Sequence, residues 1–538
     1  MPITDFLSRN AELYGDEPAL VEVSPAVRER LSSSWREMAL VEAGLKSGYR
    51  REITWREFDE SANRFANLLL TRGFKRGEKI AVLLMNCIEW LPAYFGILKA
   101  GLIAVPLNFR YSSDEIKYCL ELSDAAALVF GAEFNERVAA IQNDVPQVRE
   151  MFFVGDACPP FAADYVTLTA GCPPTAPDVT LSDDDDAAIY FSSGTTGFPK
   201  AILHVHAALV SSCVTEQKHH GQTRGDVFLC IPPLYHTGAK MHWFGSLLAG
   251  SRAVLLRGTN PRWIIEEAAR EKATVVWLLV PWAQDILDVI ESGEVKLDEY
   301  DLGSWRLMHI GAQPVPPSLI KRWKEVFPSH EYDTNYGLSE STGPGAVHLG
   351  VENIHKVGAI GKAGYGWETK IVKEEGDVGE LAVRGVGVMK CYYRDPEATA
   401  AAIRDGWLFT GDMAREDEDG FIYLVDRKKD VIITGGENLY PVQIEDFLRG
   451  CPKIKDAAVI GLPDHRLGEI AAAIVEVKAG QSLDETEIMA FCADLPRYKR
   501  PKRIIFDSVP RNATGKIEKP RLRDKYAGGS VVGWEVNN

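Results

Sequence analysis

Apolar positions recur at helical spacing through residues 54–74 (TWREFDESANRFANLLLTRGF), with Thr54 placed to cap the first turn. They then close into a nearly unbroken run over residues 79–86. The first pattern predicts an amphipathic helix and the second a buried strand. The alternation continues, with helices predicted over 90–99 and 115–122 and strands over 103–106 and 125–130. Strands separated by helices at this interval imply βαβ units and a largely parallel sheet. A Pro-, Ala- and Thr-rich surface connection at 158–178 precedes a second such region, with strands at 228–231, 253–256 and 274–279 and a helix at 261–271. After residue 368 short strands and turns predict a small β-rich subdomain, and beyond residue 430 the segments become shorter and more charged. The acidic run at 183–186 reads as a solvated turn before the next strand.

Composition narrows the function classes. A chain of 538 residues is long enough for several folding units or for one large domain with a smaller partner. With 60 Lys+Arg against 76 Asp+Glu the formal charge is −16, which argues against a coat for nucleic acid or anionic membrane. The nine cysteines are odd in number and form no CxxC pair, so neither a disulfide framework nor a structural zinc site is expected. The N-terminus lacks the basic start and apolar core of a signal peptide, and no apolar run approaches the roughly 20 residues that span a bilayer. The expected location is the reducing cytoplasm.

The strongest chemical signal is Ser192-Ser193-Gly194-Thr195-Thr196-Gly197-Phe198-Pro199-Lys200, set between two apolar strands. Small hydroxyl residues and glycines let backbone amides curl around an anion, and the spacing is not that of a Walker loop. Alone it divides evenly between a phosphate loop and an exposed Gly-Thr hairpin. Further pieces occur in order along the chain. Gly311-Ala312-Gln313 ends an apolar strand, and Asn335-Tyr336-Gly337-Leu338-Ser339-Glu340 offers an aromatic face, a hydroxyl and a carboxylate suited to Mg²⁺. Asp412 follows a turn, where it suits a ribose diol. Asp426-Arg427-Lys428-Lys429-Asp430, Gly435-Gly436 and the turn ending in Lys516 complete the series.

In this joint order the motifs resemble the adenylate-forming superfamily, which includes acyl-CoA synthetases, firefly luciferase and nonribosomal-peptide adenylation domains. The likeness covers about residues 50–520. It implies an α/β fold with a large N-terminal domain of mixed and parallel sheets flanked by helices, the β-rich subdomain, and a small mobile α+β C-terminal domain. The boundary falls between 427 and 428, giving domains 1–427 and 428–538. The active site lies between the two. By resemblance Ser192, Ser193, Gly194, Thr195, Thr196, Gly197 and Lys200 grip the ATP phosphates, and Gly311, Ala312, Gln313, Asn335, Tyr336 and Gly337 form the adenine slot. Glu340 carries Mg²⁺, preceded by Ser339 where the family commonly has threonine. Asp412 takes the ribose with Arg427 assisting, Lys429 is the hinge, Lys516 is the adenylation lysine, and Gly435 and Gly436 face the CoA tunnel.

The implied reaction joins a carboxylic acid to coenzyme A at the expense of ATP through an acyl-adenylate, with Mg²⁺ as cofactor. Partners are the acid, ATP and CoA, with no nucleic acid and no membrane span. His236, Trp243 and Trp282 are assigned to the acyl pocket, and two tryptophans favour a short-to-medium, cyclic or aromatic acid. A ligase acting on a carrier protein in trans is the alternative; a luciferase-type oxygenase and a dead scaffold stand further off. His204 and His206 read as structural, His219-His220 as a polar surface pair, and Gly385-x-Gly387 is rejected as a dinucleotide fingerprint. Residues 24–47 look like additional sequence without an assigned role.

Overall fold

The first alternating region builds an eight-stranded sheet in the order Cys391–Tyr392, Lys200–Val205, Asp186–Ser192, Ile103–Pro106, Lys79–Leu83, Ala125–Gly131, Glu150–Val154 and Ala163–Asp164. From Asp186–Ser192 to the last strand the neighbours run parallel, and Lys200–Val205 and Cys391–Tyr392 are added antiparallel. The second region builds a seven-stranded sheet: Glu331–Asp333, Leu307–Gly311, Val275–Leu279, Val227–Cys230, Arg252–Leu256, Pro18–Val23 and Arg50–Thr54. Its neighbours are parallel except the last pair. This computed structural model describes residues 1–29, 48–192, 199–311, 315–373, 376–434, 437–511 and 517–527, with two short strands at Ser34–Trp35 and Met38–Ala39.

The helix predicted over 54–74 is Trp55–Thr71, and Thr54 caps it through a capping box with Glu57. It buries Phe58, Phe65, Leu68 and Leu69, each contributing about 1.5–3 kcal/mol relative to an exposed side chain. The run at 79–86 is a strand only to Leu83. Asn86 leaves it to donate to the Pro232 carbonyl (3.0 Å) and to accept from the Leu234 amide (2.8 Å), which holds the loop that leads to His236. In the acidic run Asp183 and Asp184 are exposed, as expected of a solvated turn. Asp185, however, accepts from Arg76, and Asp186 opens the strand and pairs with Lys390 at 2.7 Å.

After residue 366 the strands Trp367–Lys373, Val378–Gly385, Trp407–Glu416, Ile403–Arg404 and Ile422–Arg427 form the expected antiparallel β-rich layer. That layer ends at Arg427, and the next sheet begins at Ile432–Thr434. It comprises Glu437–Leu439, Ile432–Thr434, Gly468–Val477 and Ile454–Asp464, with Arg503–Phe506 parallel to Gly468–Val477. Apolar clusters on its two faces, one around Ile444 and Val459 and one around Ile460 and Leu522, draw their members from residue 432 onward. No described helix is long and apolar enough to cross a membrane.

Candidate active site

The phosphate-loop motif sits on an antiparallel hairpin whose last paired residues are Ser192 and Lys200. Ser193, Gly194, Thr195, Thr196 and Gly197 lie outside the described residues, as do Ala312, Gln313, Gly435, Gly436 and Lys516. The two ends of the loop meet Glu340 and its partner Tyr392. Ser192 Oγ is 3.5 Å from Glu340 Oε1, and the Tyr392 hydroxyl donates to the same oxygen at 2.9 Å. Lys200 Nζ stands 4.7 Å from the centre of the Tyr392 ring. Tyr392 is placed there because Cys391–Tyr392 pairs with Ile202 and Leu203 at the sheet edge.

The turn carrying Ser339 and Glu340 is held from three sides. His204 Nε2 donates to the Ser339 carbonyl (2.8 Å), Thr237 Oγ1 is 3.3 Å from Ser339 Oγ, and the Met389 amide donates to the Glu340 carbonyl (2.7 Å). His204 is therefore structural, as expected; burial pushes it down to about 4, so it stays neutral. The glutamate presents a carboxylate at the mouth of the Ser192–Lys200 hairpin, and its hard oxygens fit Mg²⁺.

Gly311 ends its strand beside Asn335: a Cβ built there would meet Asn335 Oδ1 at 3.6 Å. The structure thus brings Gly311 and Asn335 together, and Asn335 Nδ2 donates to the buried Glu216 at 3.1 Å. Tyr336 is buried and donates to Asp412 Oδ2 at 2.5 Å. Asp412 lies opposite Arg427 in the strand register, with Arg427 Nε 3.4 Å from Asp412 Oδ1. Burial beside Asp412 pushes the Tyr336 phenol well above its usual range, so it remains a donor. The strand register slips between Tyr336 and Gly337, which turns the chain toward Ser339.

His236 caps the helix Thr237–Ala249, its Nδ1 accepting from the Gly238 amide at 3.1 Å. Trp243 is not at this mouth. It is fully buried against Phe58 and Phe95, at ring separations of 6.0 and 5.8 Å. One residue along a helix rotates the side chain by about 100°, so His242 faces the other way and meets Trp277 at 4.5 Å. Trp277 is the aromatic neighbour of this helix start that sequence reading missed: a Cβ at Gly238 would lie 2.7 Å from its ring. Inside the run 274–279 its only signal was membership of a buried strand. Trp282 is buried in the main core. Lys240 is fully buried with its Nζ over the Tyr190 ring (4.0 Å), and burial lowers its affinity for a proton. The His219-His220 pair is not a surface feature either. His220 is buried, and His219 stacks on His348 at 4.0 Å, because strands from later in the chain cover this helix end.

A hairpin whose first end reaches a carboxylate, together with a buried tyrosine and an aspartate–arginine pair, fits an ATP-using ligase that works through an adenylate. The AMP-binding enzyme family matches residues 9–393, and the AMP-binding enzyme C-terminal domain matches residues 443–516. The long-chain-fatty-acid–CoA ligase FadD13 of Mycobacterium tuberculosis is 31% identical over 511 residues, covering 93% of this chain and 98% of the relative. A feruloyl-CoA synthase of Amycolatopsis sp is 31% identical over 488 residues, covering 88% and 94%. Among solved structures, the anthranilate CoA ligase AuaEII in complex with anthranoyl-AMP superposes with a TM-score of 0.85 at 25% identity, covering 98% of this chain and 97% of that one. The chain belongs to the AMP-binding enzyme family and is an AMP-forming acyl-CoA synthetase.

Removing the hydroxyl that holds Glu340 tests the geometry directly. Tyr392→Phe forfeits a hydrogen bond to a charged acceptor in a half-buried site, so the KM for MgATP is expected to rise roughly tenfold. The KM for the acid should not move. ATP titration at saturating acid measures this, and an unchanged value would mean that Glu340 is oriented by its backbone alone.

Proposed function

We propose that this synthetase activates a short-to-medium, cyclic or aromatic carboxylic acid and transfers the acyl group to CoA rather than to a carrier protein. The observation that carries the acid class is Trp277. Its indole stands against Gly238 and 3.9 Å from a Cβ built at Gly311, on the His236 side of the adenine slot. A rigid aromatic wall at that depth leaves room for a ring or a short chain and blocks a long straight one. A panel of acids assayed for AMP release tests it: benzoate- and hexanoate-sized acids should be turned over faster than palmitate. Trp277→Ala should shift the ratio toward longer acids by at least about tenfold, the worth of a methylene or two in an apolar pocket. Preference for palmitate in the unaltered enzyme would refute the reading. Competition between CoA and a carrier protein for the same acyl-adenylate tests the thiol.

In the reaction so read, a carboxylate oxygen attacks the α-phosphorus of ATP and the bond to pyrophosphate breaks. The CoA sulfur then attacks the acyl carbon and AMP departs. The enzyme needs no covalent nucleophile, because positioning and neutralisation of charge suffice. Ser192 to Lys200 hold the phosphates, Tyr336 and Gly311 flank the base, and Asp412 with Arg427 takes the ribose. Glu340, oriented by Tyr392, would hold Mg²⁺, which supplies positive charge to the phosphates when bound. We read the two domains as 1–427 and 428–538, supported by the break between the strands ending at Arg427 and beginning at Ile432 and by the separate apolar clusters beyond it. Lys516 serves the first step and the Gly435-Gly436 loop the second.

A further inference from the structure

Beneath Asn335 lies a group of side chains that adenylation does not use: Glu216, His220, His242, His309, Asp333 and His348. Each is at most 3% exposed. They come from two helices and three strands, His206–His220, Thr237–Ala249, Leu307–Gly311, Glu331–Asp333 and Gly343–His348. The parallel register sets His309 beside Asp333, and the antiparallel register sets Asn335 beside His348. One donor atom from each of His220, Asp333 and His348 lies within 4.8 Å of the others, and the same holds for His220, His242 and His309.

We propose that this cluster is a binding site for a divalent transition-metal ion of the zinc class, with His220, Asp333 and His348 as ligands. His220 Nε2 and His348 Nδ1 are each 3.2 Å from Asp333 Oδ2. Donors about 2.0–2.1 Å from one tetrahedral ion stand roughly 3.3 Å apart, so these separations match. His309 Nδ1 lies 2.7 Å from the same His220 nitrogen, the separation of a hydrogen bond rather than of two ligands on one ion, so it stands beside the site and outside its ligand set. The other side of His220 carries the orienting contact that metal-bound imidazoles use: its Nδ1 is 3.4 Å from Glu216 Oε2, leaving Nε2 to face the ion. His242 Nδ1, at 2.6 Å, and Asn335 Nδ2, at 3.1 Å, fix Glu216 in turn.

Charge supports the assignment. Two carboxylates are fully buried here, and the only ion-pair partners described for them are imidazoles. Buried anions need compensation, and a divalent ion supplies it while using imidazole nitrogens and a carboxylate, the donor set that zinc-class ions prefer. Bound there, the ion would tie the helix His206–His220 to the edge strand Glu331–Asp333 of the seven-stranded sheet and to the strand Gly343–His348, directly under the adenine slot. The competing arrangement is a purely hydrogen-bonded network closed by a proton on His348, which binds no metal.

The test uses the full chain without a polyhistidine tag. Elemental analysis of the purified protein should find about one zinc-class ion per chain. After chelation, Co²⁺ titration should give a one-to-one visible absorption band of a tetrahedral site, and the thermal midpoint should fall and recover when Zn²⁺ is restored. His220→Asn and His348→Asn should lower metal content at least roughly tenfold, whereas His242→Asn should retain it. Wild-type protein that carries no metal and gives no Co²⁺ band overturns the proposal without recourse to any variant. A His220→Asn chain that folds and keeps its metal overturns it as well, and loss in His242→Asn with retention in His348→Asn overturns the ligand assignment.

Discussion

Lys516→Ala is expected to lose acyl-adenylate formation by roughly 100- to 1,000-fold while still converting supplied acyl-adenylate and CoA to the thioester. Negative charge crowds only in the first step, where a carboxylate approaches the α-phosphate of a polyanion, and a preorganised cation acts only where that charge develops. In the second step a thiol attacks an acyl carbon and AMP leaves, with no polyphosphate present. Lys516 itself lies outside the described residues, but both ends of its loop are clamped. Arg511 pairs with Asp456 at 2.7 Å and bridges to Ile517, the Glu518 amide donates to the Pro510 carbonyl, and Lys519 pairs with the buried Glu445 at 2.9 Å. Both ends of the loop therefore belong to the C-terminal sheet and its neighbours. Single-turnover measurement of each half-reaction decides the matter, and equal losses in both would remove the assignment.

The sequence made legible those features that depend on local pattern. The strand at 103–106, the helix at 90–99 and the cap at Thr54 all stand where periodicity and cap chemistry put them. So do Ser192, at the end of its strand, and Glu340, in its turn. The illegible features depend on contacts between distant segments. Trp243 and His242 are neighbours in sequence, yet only packing decides which of them meets Trp277 and which enters the core. His219-His220 resembles a solvated end of a helix until strands more than eighty residues away cover it, at His309 (2.7 Å from His220) and at Asp333 and His348. Tyr392 reaches Glu340 because a two-residue edge strand pairs with Lys200–Val205, a register that no local signal encodes. The expectation that no structural zinc site exists rested on cysteine spacing alone, and the proposed site, with histidine and aspartate from three elements, has no spacing to recognise.

Lys429→Pro should give the converse of the lysine variant. The turn after Arg427 is anchored on both sides: the Lys428 amide donates to the Gly411 carbonyl at 2.9 Å and its Nζ pairs with Glu380 at 3.1 Å, whereas Asp430 accepts from Arg523 of the C-terminal helix at 2.6 Å. Lys429 thus stands between a side chain tied to the β-rich sheet and one tied to the C-terminal part, while the Asp430 and Val431 amides reach back to the Arg427 carbonyl at 2.8 and 3.2 Å. A rotation of the C-terminal part about this point would carry Asp430 and Arg523 together and break the bond from the Val442 amide to Asp426 (2.9 Å), and one hydrogen bond is a small barrier. Asp426, pushed up to about 6 by burial, is held in this orientation by neighbours that belong to the C-terminal part. Proline fixes φ near roughly −65° and restricts the preceding residue as well, so a hinge here would be confined to one orientation. Adenylation should stay within a few-fold of the unaltered enzyme, since it needs only Lys516 in place. Thioester formation should fall by roughly 100-fold or more, the loss that a misplaced reacting group causes. If Lys428 and Lys429 were only a solvated basic turn, both steps would fall together or neither would, and retained thioester formation would place the hinge elsewhere in the chain.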